Sequence, residues 1–172
     1  MQLKSWKRGR SWKPWKSLLA CLFMAGALFA ATTTSASADI LSTSAINVHN
    51  YNSGRCMGIS GGYAVDWTCT SNPDQMWHLG SDNSAGWHQV INGKSECLAV
   101  SGGSTSQGAR VRTWTCNGGA DQYWVSAHYS GNLYYLENYK SGLIGGVQGG
   151  STSNGASLVL WTPQGHADQL WY

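Results

Sequence analysis

Between Ile46 and Tyr172 the apolar residues come in short runs, such as Met57 to Ile59, Cys97 to Val100, Val111 to Trp114 and Leu158 to Trp161, set between clusters of Gly, Ser, Asn and Thr. Runs of that length bounded by turn residues predict short strands joined by tight turns. No window keeps the i, i+3, i+4 apolar spacing of an amphipathic helix, and charged residues make up 11% of the chain, too few to solvate helical faces. The expected class is all-β.

The pattern also repeats. Asp-Gln-x-Trp occurs at Asp74-Gln75-Met76-Trp77, Asp121-Gln122-Tyr123-Trp124 and Asp168-Gln169-Leu170-Trp171, with successive copies 47 residues apart. A second Trp lies ten residues before each motif's Trp, at Trp67, Trp114 and Trp161, followed by Thr and then by Cys69, Cys116 or Pro163. Two marks with one period describe a unit written three times, over about 46–85, 86–131 and 132–172. Units two and three align through Ser101 to Ala109 against Gln148 to Ala156, whereas unit one is six residues shorter there, which predicts a clipped hairpin. Three such units are too few for a propeller and too short for separate domains. One closed three-fold barrel is expected, with Trp77, Trp124 and Trp171 buried near its axis.

The first 38 residues read differently: six cations from Lys4 to Lys16 precede fourteen mostly apolar residues, Leu18 to Ala31, and then Ala36-Ser37-Ala38. This is the layout of a secretory signal peptide, shorter than the roughly 20 apolar residues that span a bilayer. Cleavage would leave a single domain of residues 39–172, secreted to the extracellular space, with no membrane span. Cys21 sits at the start of the apolar run rather than its end, which argues against a lipidation box. Removing the leader turns a formal charge of +3 into five cations against eight carboxylates, or −3. Arg55, Lys94, Arg110, Arg112 and Lys140 form no basic stripe along the sequence, so nucleic acid is not an expected partner.

Four cysteines then remain, Cys56 with Cys69 in unit one and Cys97 with Cys116 in unit two, and unit three replaces both members of the pair together, with Ile144 and Pro163. Paired loss predicts two local disulfides rather than the other connectivities that four cysteines allow. Closing loops of these lengths contributes on the order of 3 kcal/mol each on a chain-entropy model, in keeping with an exported protein. Without Cys-x-x-Cys and with five dispersed histidines, no metal site is expected, nor any cofactor.

The three Gln-x-Trp motifs, the Trp-Thr-Cys triplets at 67–69 and 114–116, and the matching openings Asn50-Tyr51-Asn52-Ser53-Gly54-Arg55-Cys56 and Asn138-Tyr139-Lys140-Ser141-Gly142-Leu143-Ile144 resemble the ricin B-type lectin domain of secreted bacterial proteins over Ile46 to Tyr172. The resemblance implies a β-trefoil that binds one sugar ring per unit in a shallow pocket. Such pockets use an Asp shortly after the first Cys, a polar residue two before the Trp of the Trp-x-Cys triplet, an aromatic platform, and the pair preceding x-Trp. Here the Asp position holds Gly58, Ala99 and Gly146, and the polar position holds Val65, Arg112 and Val159. What persists is Trp67 with Asp74 and Gln75, Trp114 with Asp121 and Gln122, and Trp161 with Asp168 and Gln169.

Each of these has a structural reading beside the functional one. The glutamines can satisfy backbone groups at a turn, the second Trp of each unit can cap the barrel, and the aspartates can cap turns. Arg112 is either a solvated strand residue or a partner that stacks on Trp114 and meets an anionic sugar. Trp87 stands outside the three-fold register as a packing residue or an extra contact. Alternation puts Tyr134 and Tyr135 on opposite faces of a strand.

Catalytic motifs such as His-Glu-x-x-His, Gly-x-Ser-x-Gly or a phosphate-cradling Gly-Lys-Ser are missing, so an enzyme is not expected. A free-standing module without an attached catalytic domain is expected, acting as a monomer. Two functions remain: a carbohydrate-binding, lectin-like module for a polysaccharide or cell-surface glycan, or a trefoil that has lost sugar binding and serves protein or cell-surface interaction.

Overall fold

The computed structural model describes residues 39–172; the predicted signal peptide lies outside the described residues. Ten strands form one sheet: β1 (Cys56–Ser60), β2 (Tyr63–Trp67), β3 (Trp77–Asp82), β4 (His88–Asn92), β5 (Cys97–Val100), β6 (Val111–Trp114), β7 (Tyr123–Ser130), β8 (Leu133–Asn138), β9 (Ile144–Val147) and β10 (Ala156–Trp161). The only helical pieces among the described residues are five three-residue 3-10 turns, three of them carrying the Asp-Gln pairs. The four apolar runs read from the sequence all lie within β1, β5, β6 and β10.

Strand pairing makes the three-fold plan visible. The hairpins β1–β2, β5–β6 and β9–β10 meet one another, β2 pairing with β10 at Ala156–Asp66, with β6 at Tyr63–Arg112, and β6 reaching β10 through the Arg110–Val159 bridge. The sheet runs on from β9 through β8, β7 and β4 to β5, so that it closes on itself. Two further segments are reduced to isolated bridges: Ile46 with Trp77, and Asn50 and Tyr134 with Trp171. They complete the barrel where the chain enters and leaves it, and Ile40 and Leu41 extend the buried core ahead of the repeats.

Trp77, Trp124 and Trp171 are fully buried. Each indole N–H donates to a strand carbonyl 20 or 26 residues earlier: Met57 at 2.8 Å, Leu98 at 2.9 Å and Gly145 at 2.9 Å. A buried indole must satisfy its one donor, and here the acceptor is the residue just before Gly58, Ala99 or Gly146. The three tryptophans thereby pull the first strand of each hairpin onto the core with Val48, Leu136 and Leu158.

The disulfides Cys56–Cys69 and Cys97–Cys116 are formed as the paired loss predicted, and each ties the start of a hairpin to the loop after its exposed Trp. Unit one is clipped as expected. Ser60 pairs directly with Tyr63, and Gly61 and Gly62 turn the chain with φ of +57° and +78°, the left-handed conformation that a two-residue hairpin demands. Units two and three have longer connections here, each with a 3-10 turn, Ser101–Gly103 or Gln148–Gly150. In β8, Tyr134 is buried and Tyr135 half-buried on the other face.

Candidate functional site

Each hairpin carries one cleft. The second strand supplies Val65, Arg112 or Val159 to the lining, and across the strand pair these residues face Gly58, Ala99 and Gly146. The 3-10 turn then brings Asp and Gln in from the side, because Trp77, Trp124 and Trp171 are anchored in the core directly after them. The clefts measure about 180 Å³ in unit one, 360 Å³ in unit two and 470 Å³ in unit three. All ten residues singled out in the sequence line one: Trp67, Asp74 and Gln75 the first; Arg112, Trp114, Asp121 and Gln122 the second; Trp161, Asp168 and Gln169 the third.

The glutamines are buried and act alike. Nε2 of Gln75, Gln122 and Gln169 donates to the carbonyl of Thr68, Thr115 and Thr162 at 2.8–3.0 Å. Their Oε1 accepts from the backbone N–H of Thr70, Asn117 and Gln164 at 2.6–2.9 Å. Each Gln therefore clamps the loop that follows the platform Trp, fixing one wall of the cleft while forming part of its lining.

The aspartates behave otherwise. None caps its 3-10 turn. Asp74 Oδ2 accepts from the Ile59 N–H at 3.5 Å, while the carboxylates of Asp121 and Asp168 accept no hydrogen bond from any described residue. Carboxylates left this way at the mouth of a cleft are free to accept from hydroxyl groups.

Trp67 and Trp161 are 40% exposed and Trp114 is 52% exposed, in contrast to the fully buried tryptophans ten residues on. Neighbouring units set the edges of two of these platforms. The Gly155 backbone of unit three packs against Trp67, a Cβ there falling 3.3 Å from its Cζ3, and Gly108 of unit two stands 3.9 Å from Trp161 Cζ3 by the same measure. For Trp114 the equivalent neighbour would be the clipped hairpin of unit one. In its place the Arg112 guanidinium lies 4.4 Å from the Trp114 ring centre, so Arg112 stacks rather than extending into solvent.

Sequence reasoning missed the loop residues between the two tryptophans of each unit: Thr70 and Asn72, Asn117, and Gln164 and His166 also line the clefts. Their identities differ between units, so no repeat marks them. Trp87 is half-buried and packs on Tyr139 at 5.4 Å, outside the clefts. Among the described residues one trio of potential metal ligands comes together, His49, Cys56 and Cys69. Both sulfurs are committed to the disulfide and His49 stacks on Tyr172, so the trio is not a thiolate donor set.

Comparison with known proteins agrees with this geometry. No curated protein sequence matches the chain. Among solved structures, the designed three-fold symmetric protein ThreeFoil superposes with a TM-score of 0.69 at 23% identity, covering 73% of this chain and 94% of that one. An exo-beta-1,3-galactanase from Clostridium thermocellum gives 0.69 at 26% identity over 75% of this chain but only 29% of the enzyme. The Macrolepiota procera ricin B-like lectin, solved with lactose, gives 0.66 at 16% identity over 76% of this chain and 94% of that one. Residues 44–171 match the family described as the ricin-type beta-trefoil lectin domain, and the chain belongs to that family.

Proposed function

We propose that this protein is a secreted, non-catalytic carbohydrate-binding module that takes one sugar ring in each cleft. The observation that carries the reading is the threefold conjunction of a half-exposed indole and an uncapped carboxylate in one cleft, Trp67 with Asp74, Trp114 with Asp121 and Trp161 with Asp168. A pyranose has an apolar C–H face that stacks on an indole, and its hydroxyl groups donate to a carboxylate. Asp74, Asp121 and Asp168 approach from the side wall and supply the acceptor that Gly58, Ala99 and Gly146 do not. Single shallow clefts bind weakly, and three on one rigid barrel gain avidity on a polymer or a glycan-covered surface. Two disulfides support an oxidising destination, the extracellular space. No described helix is long and apolar enough to cross a membrane.

The test is retention of the disulfide-bonded protein, residues 39–172, on immobilised glycans and insoluble polysaccharides, with release by soluble sugar. Stepwise loss of retention in the Trp67→Ala, Trp114→Ala and Trp161→Ala variants supports the reading. A folded protein that no glycan retains favours the second one, a trefoil kept for protein or cell-surface interaction, which the missing floor carboxylates at Gly58, Ala99 and Gly146 recommend.

A further inference from the structure

The three clefts differ in charge. The first and third are each lined by one carboxylate, Asp74 or Asp168, and by no Lys or Arg. The second is lined by Arg112 as well as Asp121, and Lys140 reaches its rim, where Nζ donates to the carbonyl of Gly103 at 2.6 Å. The Arg110 guanidinium lies 3.8 Å from the ring of Tyr63, over which Arg112 also lies at 5.4 Å. Two of the five cations in residues 39–172, Arg112 and Lys140, therefore stand at one cleft of a domain whose formal charge is −3.

Arg112 is held by one of its donors and keeps the others unpaired among the described residues. Its Nε donates to the Thr113 carbonyl at 3.0 Å, and its guanidinium lies 5.4 Å from the ring centre of Tyr63 and 4.4 Å from that of Trp114. Among the described residues its two terminal nitrogens donate to no protein acceptor. The residue paired with it across the strands is Ala99, so no carboxylate on the first strand neutralises it. Asp121 and Lys140 flank one glycine, a Cβ on Gly103 falling 3.7 Å from Asp121 Oδ1 and 2.7 Å from Lys140 Nζ. A half-buried arginine that lines a cleft with its terminal nitrogens unpaired is suited to receive a carboxylate, because its parallel N–H groups match the two oxygens. The clipped hairpin makes room: with the Gly61–Gly62 turn beside it, Trp114 remains the most exposed of the three platforms although Arg112 covers part of it.

Building on the proposed carbohydrate binding, we propose that the unit-two cleft selects a carboxylated sugar, a uronate or a sialate, whose carboxylate is held by the terminal nitrogens of Arg112 while its ring rests on Trp114. Units one and three take neutral rings. The chain thus reads a glycan that carries both.

The experiment is calorimetric titration of the disulfide-bonded protein with two matched pairs: trigalacturonate against its methyl ester, and sialyllactose against lactose. The ester removes the charge and keeps every ring, whereas lactose lacks the sialate ring as well as its charge, so for that pair the Arg112 variants separate the carboxylate from the ring. The wild-type protein should prefer at least one acid over its neutral partner by about tenfold or more, as a charge-assisted pair implies, and which pair responds names the source. Arg112→Gln should erase that preference and Arg112→Lys should leave part of it, since a point charge replaces the fork. Equal binding of acid and neutral partners by the wild-type protein overturns the inference without any variant, as does a preference that survives in Arg112→Gln. If neutral glycans are retained and acids are not preferred, only this inference fails; if no glycan binds at all, the carbohydrate reading fails with it.

Discussion

Gly58 lies so close to Gln75 that a Cβ atom on Gly58 would stand 2.9 Å from Gln75 Cγ. Gly146 is placed similarly, with Gln169 Cγ 3.2 Å away. The position at which the related lectins carry a carboxylate is thus filled here by the clamping glutamine. Restoring the acid in unit one should not restore a pocket: Gly58→Asp is expected to displace Gln75 and to cost about 1–3 kcal/mol, the range for overpacking a tight site. Ala99 already carries a Cβ, so Ala99→Asp should unfold at nearly the wild-type temperature and place its carboxylate opposite Arg112. Thermal melts of the two variants side by side decide the matter.

The glutamine clamp makes a second expectation. Gln122→Ala removes the acceptor of the Asn117 and Gly118 N–H groups, at 2.9 and 3.2 Å, and the donor to Thr115. Leaving such groups unpaired should cost about 1–3 kcal/mol in urea denaturation. The Asn117 amide should also exchange with solvent faster, and a variant as stable and as protected as wild type would show that the loop holds itself.

Trp161 and Trp171 should separate function from stability. Trp171 is fully buried and bonded to Gly145, so Trp171→Ala should cost about 3–5 kcal/mol. Trp161→Ala, at a 40% exposed platform, should cost under about 1 kcal/mol while weakening glycan retention. Equal destabilisation by both would make Trp161 a core residue.

Asp66 should make stability depend on pH. It is fully buried in β2, neither carboxylate oxygen completes a hydrogen bond with a described residue although the Ser53 hydroxyl lies close enough to act on its charge, and its structural counterparts are Thr113 and Leu160. Burial raises its pKa above 3.8, opposed by the Ser53 hydroxyl and by the charge of Arg55. With the folded value above the unfolded one, the folded state holds the proton longer, so this contribution is present below about pH 3.8 and is lost as pH rises through the folded pKa. Asp66→Asn cannot ionise, so its melting temperature should gain on wild type as pH rises from 4 through that value and then hold a constant lead. A pH-independent difference between the two proteins would show that Asp66 keeps its ordinary pKa.

Much of this was legible in the chain because a repeat compares a sequence with itself. The 47-residue period carried the three-fold barrel, the joint replacement at Ile144 and Pro163 carried both disulfides, and the two Trp series fell into register before any contact was known. Which series was buried was also readable: Trp77, Trp124 and Trp171 follow the Asp-Gln turn, where the chain must re-enter the barrel. Whether the aspartates cap turns or face the clefts was not, since a short polar side chain satisfies either role in sequence.

By itself, then, the sequence determined the class and the three-fold repeat through spacing and the cystine pairs through their joint loss in unit three, while the family resemblance singled out the ten residues that line the clefts. Tertiary structure alone decided what closes each cleft. Gly155 reaches Trp67 from 88 residues away, Gly108 reaches Trp161 from 53, and Arg112 takes the place that the clipped hairpin left beside Trp114. Those contacts arise from the order in which three hairpins meet around an axis, and a chain's local pattern carries no record of which unit will stand beside which.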